Sequence, residues 1–66
     1  MVEMKYYDVS ILDEKGIQDV LLNSIAILKQ NALLTNFNDK NMRKKYAEQV
    51  KNVQKYLTAL ELLNVK

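Results

Sequence analysis

The side chains able to do covalent chemistry are few in this sequence. Its hydroxyls are Ser10, Ser24, Thr35, Thr58, Tyr6, Tyr7, Tyr46 and Tyr56. Activating a hydroxyl for attack takes a base within hydrogen-bond reach and a third group that orients the base. The chain has no histidine to act as that base near neutral pH, and no cysteine to act as a softer nucleophile. Asp13 and Glu14 are neighbours, but at a helix cap their carboxylates are solvated. Asp39 and Glu48 lie too far apart on one helix to share a proton. Without Cys or His the common zinc sites are impossible, and no glycine-rich phosphate loop or calcium loop occurs. The reading is a non-enzymatic protein, with no catalytic, cofactor-binding or metal residue expected. Such a chain acts by binding.

Charge supplies the first candidate for what it binds. The net charge is only +2, but it is unevenly placed. Residues 1–28 carry five acids against two lysines, and residues 29–66 carry eight bases against three acids. The bases crowd the start of the second half: Lys40, Arg43, Lys44, Lys45, Lys51 and Lys55. Most such runs are a solvated helix face. The functional alternative is a patch for an acidic protein surface or for nucleic acid. One arginine among six cations argues against base and phosphate readout, which arginine dominates.

Those residues need elements to hold them. Leucine, isoleucine and valine are abundant, Gly16 is the sole glycine and proline is absent, so the chain should fold and be helical after residue 16. Helix one is expected over residues 17–34. Ile17, Val20, Leu21, Ile25, Ile27, Leu28, Ala32 and Leu34 fall in one arc at about 100° per residue, with Leu22, Ala26 and Leu33 on a second line outside it. Ser24 and Asn31 interrupt the arc. Their usual fates are a bond to the carbonyl one turn back and a place at a wet edge. Asp13 is the expected cap. The turn is Thr35-Asn36-Phe37-Asn38, with Asn38 or Asp39 capping helix two and Phe37 set to staple onto Met42. Helix two, over residues 39–63, repeats apolar residues at Tyr46, Val50, Val53, Leu57 and Leu60 in heptad spacing, flanked by Met42, Tyr56 and Leu63.

Residues 1–12 are the arm. From Lys5 the pattern alternates: Tyr7, Val9 and Ile11 one way, Tyr6, Asp8 and Ser10 the other. That reads as a short strand, whose backbone needs a ladder partner this chain does not offer. Its expected partner is the same strand of another copy or an edge strand of a target. The other reading is one extra helical turn, with Tyr7 and Ile11 covering the helices. The order strand, helix, helix over residues 5–63 resembles that of the ribbon-helix-helix repressors, and implies a two-chain ribbon entering the major groove. The family's helices are shorter and joined by a Gly-x-Ser/Thr turn, where this chain has Thr35-Asn36-Phe37-Asn38.

The sequence therefore leads to a mainly α fold: one domain over 1–66, an antiparallel helical hairpin with a short extended or β arm, dimerising into a four-helix bundle. A chain this short buries too little surface to be comfortable alone, and with no disulfide or metal to staple it, self-association is left. Leu22, Ile25, Leu33, Val50, Val53, Leu57, Leu60 and Leu62 are the expected self-association residues. Tyr6, Tyr7, Val9 and Ile11 are the expected partner-binding arm. The expected role is a homodimeric regulator or inhibitor of a larger protein. A nucleic-acid-binding regulator and a structural subunit of a larger assembly are the alternatives. No apolar run approaches the roughly 18 residues that cross a bilayer, and the stretch MVEMKYYD has neither a basic start nor an apolar signal core, so no membrane partner is expected and the cytoplasm is the default location. The abundance of Asn and Lys points to an AT-rich source, a phage or plasmid among them.

Overall fold

A computed structural model describes residues 1–64; residues 65 and 66 of the expected single domain lie outside them. Two helices, α1 (Glu14–Leu34) and α2 (Lys40–Asn64), form a hairpin, preceded by a 3₁₀ turn at Val9–Ile11. The hairpin measures 43 × 16 × 15 Å, with a radius of gyration of 13.0 Å. A compact chain of this length would have a radius near 11 Å. The molecule is thus a rod, and much of each helix has no neighbour within the chain.

Capping explains where the helices begin. The Asp13 carboxylate accepts the Gly16 N–H at 2.8 Å, which satisfies one of the free amides of the first turn. Helix one was expected from Ile17 and starts instead at Glu14, because the Asp13 cap draws Gly16 inside. Gly16 suits that closure: a Cβ there would stand 3.0 Å from the Asp13 carboxylate and 3.4 Å from Leu12. At the other end, Thr35 donates both its N–H and its hydroxyl to the Asn31 carbonyl, at 2.9 and 2.6 Å. No left-handed residue is needed: among the described residues none has positive φ. The turn is built from side chains instead. Asn36 accepts the Asn38 N–H, and Asp39 caps α2 by accepting the amides of Asn41 and Met42. The Phe37 ring meets Tyr46 edge-on, with centroids 5.3 Å apart.

The core is small. Met4, Ile17, Leu21, Val53 and Tyr56 are buried, and Val9, Leu12, Val20, Ile27, Leu28, Ala59 and Leu60 pack against them. Two expectations need correction here. The arm is not a β-strand: the described residues contain no strand, and residues 1–8 run without regular structure along the hairpin, with Met4 in its core. The core face of α2 is also rotated from the heptad seam. Tyr56, expected at the flank, is buried, and Leu57, expected in the seam, is exposed. The arm is the reason. It fills one groove of the hairpin, so α2 must be apolar towards the arm as well as towards α1.

The arm changes direction at Asp8. That carboxylate accepts the Ser10 hydroxyl at 2.7 Å and the Ser10 amide at 3.0 Å, opening the 3₁₀ turn. The Ser10 hydroxyl, and then its amide, hold the Asp8 carboxyl below the usual 3.8. A lowered folded-state pKa means that the turn is supported above pH 3.8 and loses this support as pH falls through the lowered value.

Candidate functional site

Asn31 organises the arm. It stands in the apolar arc of α1 and is 0 % exposed, which corrects the expectation of a wet edge. A buried carboxamide must have its hydrogen bonds met. The Asn31 Oδ1 accepts the Val2 N–H at 2.7 Å, and its Nδ2 donates to the Val2 carbonyl at 2.9 Å. Nδ2 also donates to Gln49 Oε1 on α2 at 2.9 Å. The side-chain amide thus pairs with Val2 as a neighbouring strand's peptide would, exchanging both an N–H and a C=O. The ladder partner that an extended segment requires is a single side chain on a helix.

Tyr56 makes the second attachment. Its hydroxyl accepts the Tyr7 N–H at 2.9 Å, and its ring lies in the core. Between the two attachments Met4, 5 % exposed, plugs the groove. Gln49 touches the Met1 sulfur at 3.6 Å. The arm is therefore held by three main-chain hydrogen bonds, two at Val2 and one at Tyr7, and by one buried apolar side chain. Tyr6 and Tyr7 stay half exposed, Val9 is partly buried and Ile11 is exposed. Tyr7 borders two clefts. One, of about 330 Å³, runs along α1 past Asp19, Asn23 and Ser24. The other, of about 260 Å³, runs along α2 past Asn52 and Lys55.

The clefts show which groove the arm occupies. Val20 and Ile27 line the first, and Asn52 and Tyr56 the second. At about 100° per residue these lie to one side of the buried line of each helix, and Ile25, Val50 and Leu57 lie to the other. The opposite groove is therefore open. Beside it on α1 are Leu22, 66 % exposed, and Leu33, 85 % exposed; Ile25 and Leu57 are about half exposed and Val50 is partly buried.

The expected self-association set thus divides. Leu22, Ile25, Leu33, Val50 and Leu57 border the open groove or the adjoining outer face of α1. Leu62 is exposed on the back of α2, beside a shallow surface shared with Val9 and Lys51. Val53 is buried within the chain, and Leu60 is partly buried and packs on that same core. Of the basic set, Lys40, Arg43, Lys44, Lys45, Lys51 and Lys55 are all exposed. Lys40, Lys44, Lys51 and Lys55 fall within a stripe about 60° wide on α2, while Arg43 and Lys45 lie to either side.

Asn31 and Tyr56 were missed as functional residues by sequence reasoning. The available signal was one polar amide inside an apolar arc, in a chain whose extended arm lacked a ladder partner. Among the described residues no cluster of three or more acidic, His or Cys side chains stands ready for a metal ion, and no helix is long and apolar enough to cross a membrane. Compared with family models, with curated proteins and with solved structures, the chain matches none.

Proposed function

We propose that this chain is a non-enzymatic protein-binding regulator or inhibitor that acts as a homodimer, the two hairpins joining through their open grooves as a four-helix bundle. The observation that carries the reading is the run of exposed leucine and isoleucine on the side of the hairpin the arm leaves bare. A stable interface buries about 800 Å² per partner. One long side of this rod, 43 × 16 Å, comes near that size if the whole side is covered. Leu22, Ile25, Leu33 and Leu57 are the exposed apolar side chains from which such an interaction surface would be built. In this reading the tyrosines of the arm, half exposed at the edge of the covered groove, remain available to a larger protein, as aromatic residues at binding anchors often are.

Sedimentation equilibrium at micromolar concentration tests the dimer. The expected result is twice the 7.7 kDa chain mass. Replacing Leu22 and Leu33 together by Glu, neither of which is in the core, is expected to give a folded monomer or to weaken association at least a hundredfold. A wild-type chain that sediments as a folded monomer overturns this reading.

The lysine stripe of α2 supports a second reading, an acidic or nucleic-acid partner on the back of the hairpin. Binding to generic duplex DNA that weakens steeply between low and physiological salt is its signature. The two-chain ribbon of the ribbon-helix-helix repressors is not part of it, because the arm here lies along its own hairpin.

A further inference from the structure

We infer that the groove between α1 and α2 is a receptor for an extended peptide, that the chain's own residues 1–8 occupy it as a tethered stand-in, and that an extended segment of a protein partner displaces them. The inference deepens the protein-binding reading and does not depend on the dimer.

Three features make the groove a receptor and not merely a packed core. Recognition is aimed at the main chain. Asn31 pairs with both the N–H and the C=O of Val2, and Tyr56 accepts the N–H of Tyr7. Groups that read peptide N–H and C=O accept any residue other than proline at those positions. The reading group is fixed in advance: the Asn31 carboxamide is buried and also bonded to Gln49 from the opposite helix, so its orientation is set from the hairpin side. The one buried side chain of the arm is Met4, two residues beyond the Asn31 contact, where Val2 is partly buried. Neighbouring side chains of the arm, Glu3, Lys5, Tyr6 and Tyr7, are exposed.

The seated arm defines the ligand. It is an extended segment with a free main-chain N–H and C=O at one position, a long unbranched or γ-branched apolar side chain two positions on, and a free N–H three positions after that. The arm holds the groove at the effective concentration of a short tether, on the order of millimolar. A partner must therefore bind well, or the arm must be loosened, before exchange shows.

Proline at the Asn31 contact separates receptor from core, because it acts in opposite directions on the tether and on the ligand. The 66-residue chain and its Val2→Pro variant are titrated by fluorescence anisotropy with a labelled peptide of residues 1–8, and with the same peptide carrying Val2→Pro. The Val2→Pro chain keeps Met4 and every helix residue. It is expected to hold wild-type helix content and to bind the wild-type peptide at least tenfold tighter than the wild-type chain does. The proline peptide is expected to bind that chain at least tenfold more weakly than the wild-type peptide. Amide exchange of the wild-type protein supplies the second measurement: the Val2 and Tyr7 amides should open locally, at least tenfold faster than amides in the middle of α1. Equal affinity of the two chains for the peptide, no binding by a helical Val2→Pro chain, loss of helix in that variant, or arm amides that exchange only with global unfolding each overturn the inference. Each of these outcomes is read whether the protein sediments as one chain or two.

Discussion

Replacing Asn31 by aspartate is expected to destabilise the chain strongly at neutral pH, with the lost stability returning on mild acidification. The oxygen that accepts the Val2 N–H survives the change, but the donor to the Val2 carbonyl and to Gln49 Oε1 becomes an acceptor facing two acceptors. The site is fully buried, so the new charge also loses its water. Leaving one buried polar group unpaired costs about 1–3 kcal/mol, and an unpaired buried charge more. A chain of this size has a total stability of only about 3–10 kcal/mol at the usual value per residue. Burial and the facing oxygens raise the pKa of the introduced carboxyl above its unfolded value. The folded state therefore binds the proton more tightly, and the missing stability returns as pH falls through that raised pKa. Once protonated, the group again has a donor for one of the facing oxygens. Asn31→Leu removes donor and acceptor without adding charge. Its expected loss is about 2–4 kcal/mol, and pH should not restore it. Thermal melts of the three proteins at pH 7 and near pH 5, each referred to wild type at the same pH, check this. An Asn31→Asp chain as stable as wild type at pH 7 would show that the Val2 pairing does not hold the arm.

The pairing at Asn31 also shows why the helices could be read from the sequence and the arm could not. Helix formation is local. Asp13, the apolar period from Ile17 to Leu34, the polar turn around Asn36 and the period from Met42 to Leu60 each act within a few residues of themselves. The hairpin and the Asp13 cap follow from them. The arm depends on a contact between residue 2 and residue 31, and no local pattern encodes it. Of the alternating Tyr7, Val9 and Ile11 only Val9 packs on the core, because the anchored stretch is upstream, at Val2 and Met4, and the 3₁₀ turn opened by Asp8 ends the extended run by Val9. The heptad of α2 erred for the same reason. A seam that runs through Leu57 to Leu60 assumes one neighbour, whereas Tyr56 must face both α1 and the arm. The leucines that a single hairpin leaves wet were legible, because exposure of Leu22, Leu33 and Leu62 follows from the width of the apolar surface alone.

Tyr56 carries the other large effect, and its two parts separate cleanly. The ring is among the five buried apolar side chains of the core, and the hydroxyl accepts the Tyr7 N–H. Tyr56→Ala removes both. Truncating a buried aromatic costs about 3–5 kcal/mol, which is most of the stability available to this chain, so the variant is expected to lose its cooperative melt. Tyr56→Phe keeps the ring and removes only the acceptor. The Tyr7 N–H is only partly buried, so water can take the place of the lost acceptor and the loss should be about 1 kcal/mol. The effect should also be local. In Tyr56→Phe the Tyr7 amide is expected to exchange much faster, while the amides of Leu21 to Leu28 keep their wild-type rates. The Val2 amide, held separately by Asn31, should lie between the two, because an arm released at Tyr7 still has Met4 and Val2 to hold it. Hydrogen exchange followed by NMR measures all three in one experiment. Unchanged exchange at Tyr7 in Tyr56→Phe would remove the second attachment and leave the arm held by Asn31 and Met4 alone. Faster exchange throughout α1 would instead make the hydroxyl a support of the whole hairpin.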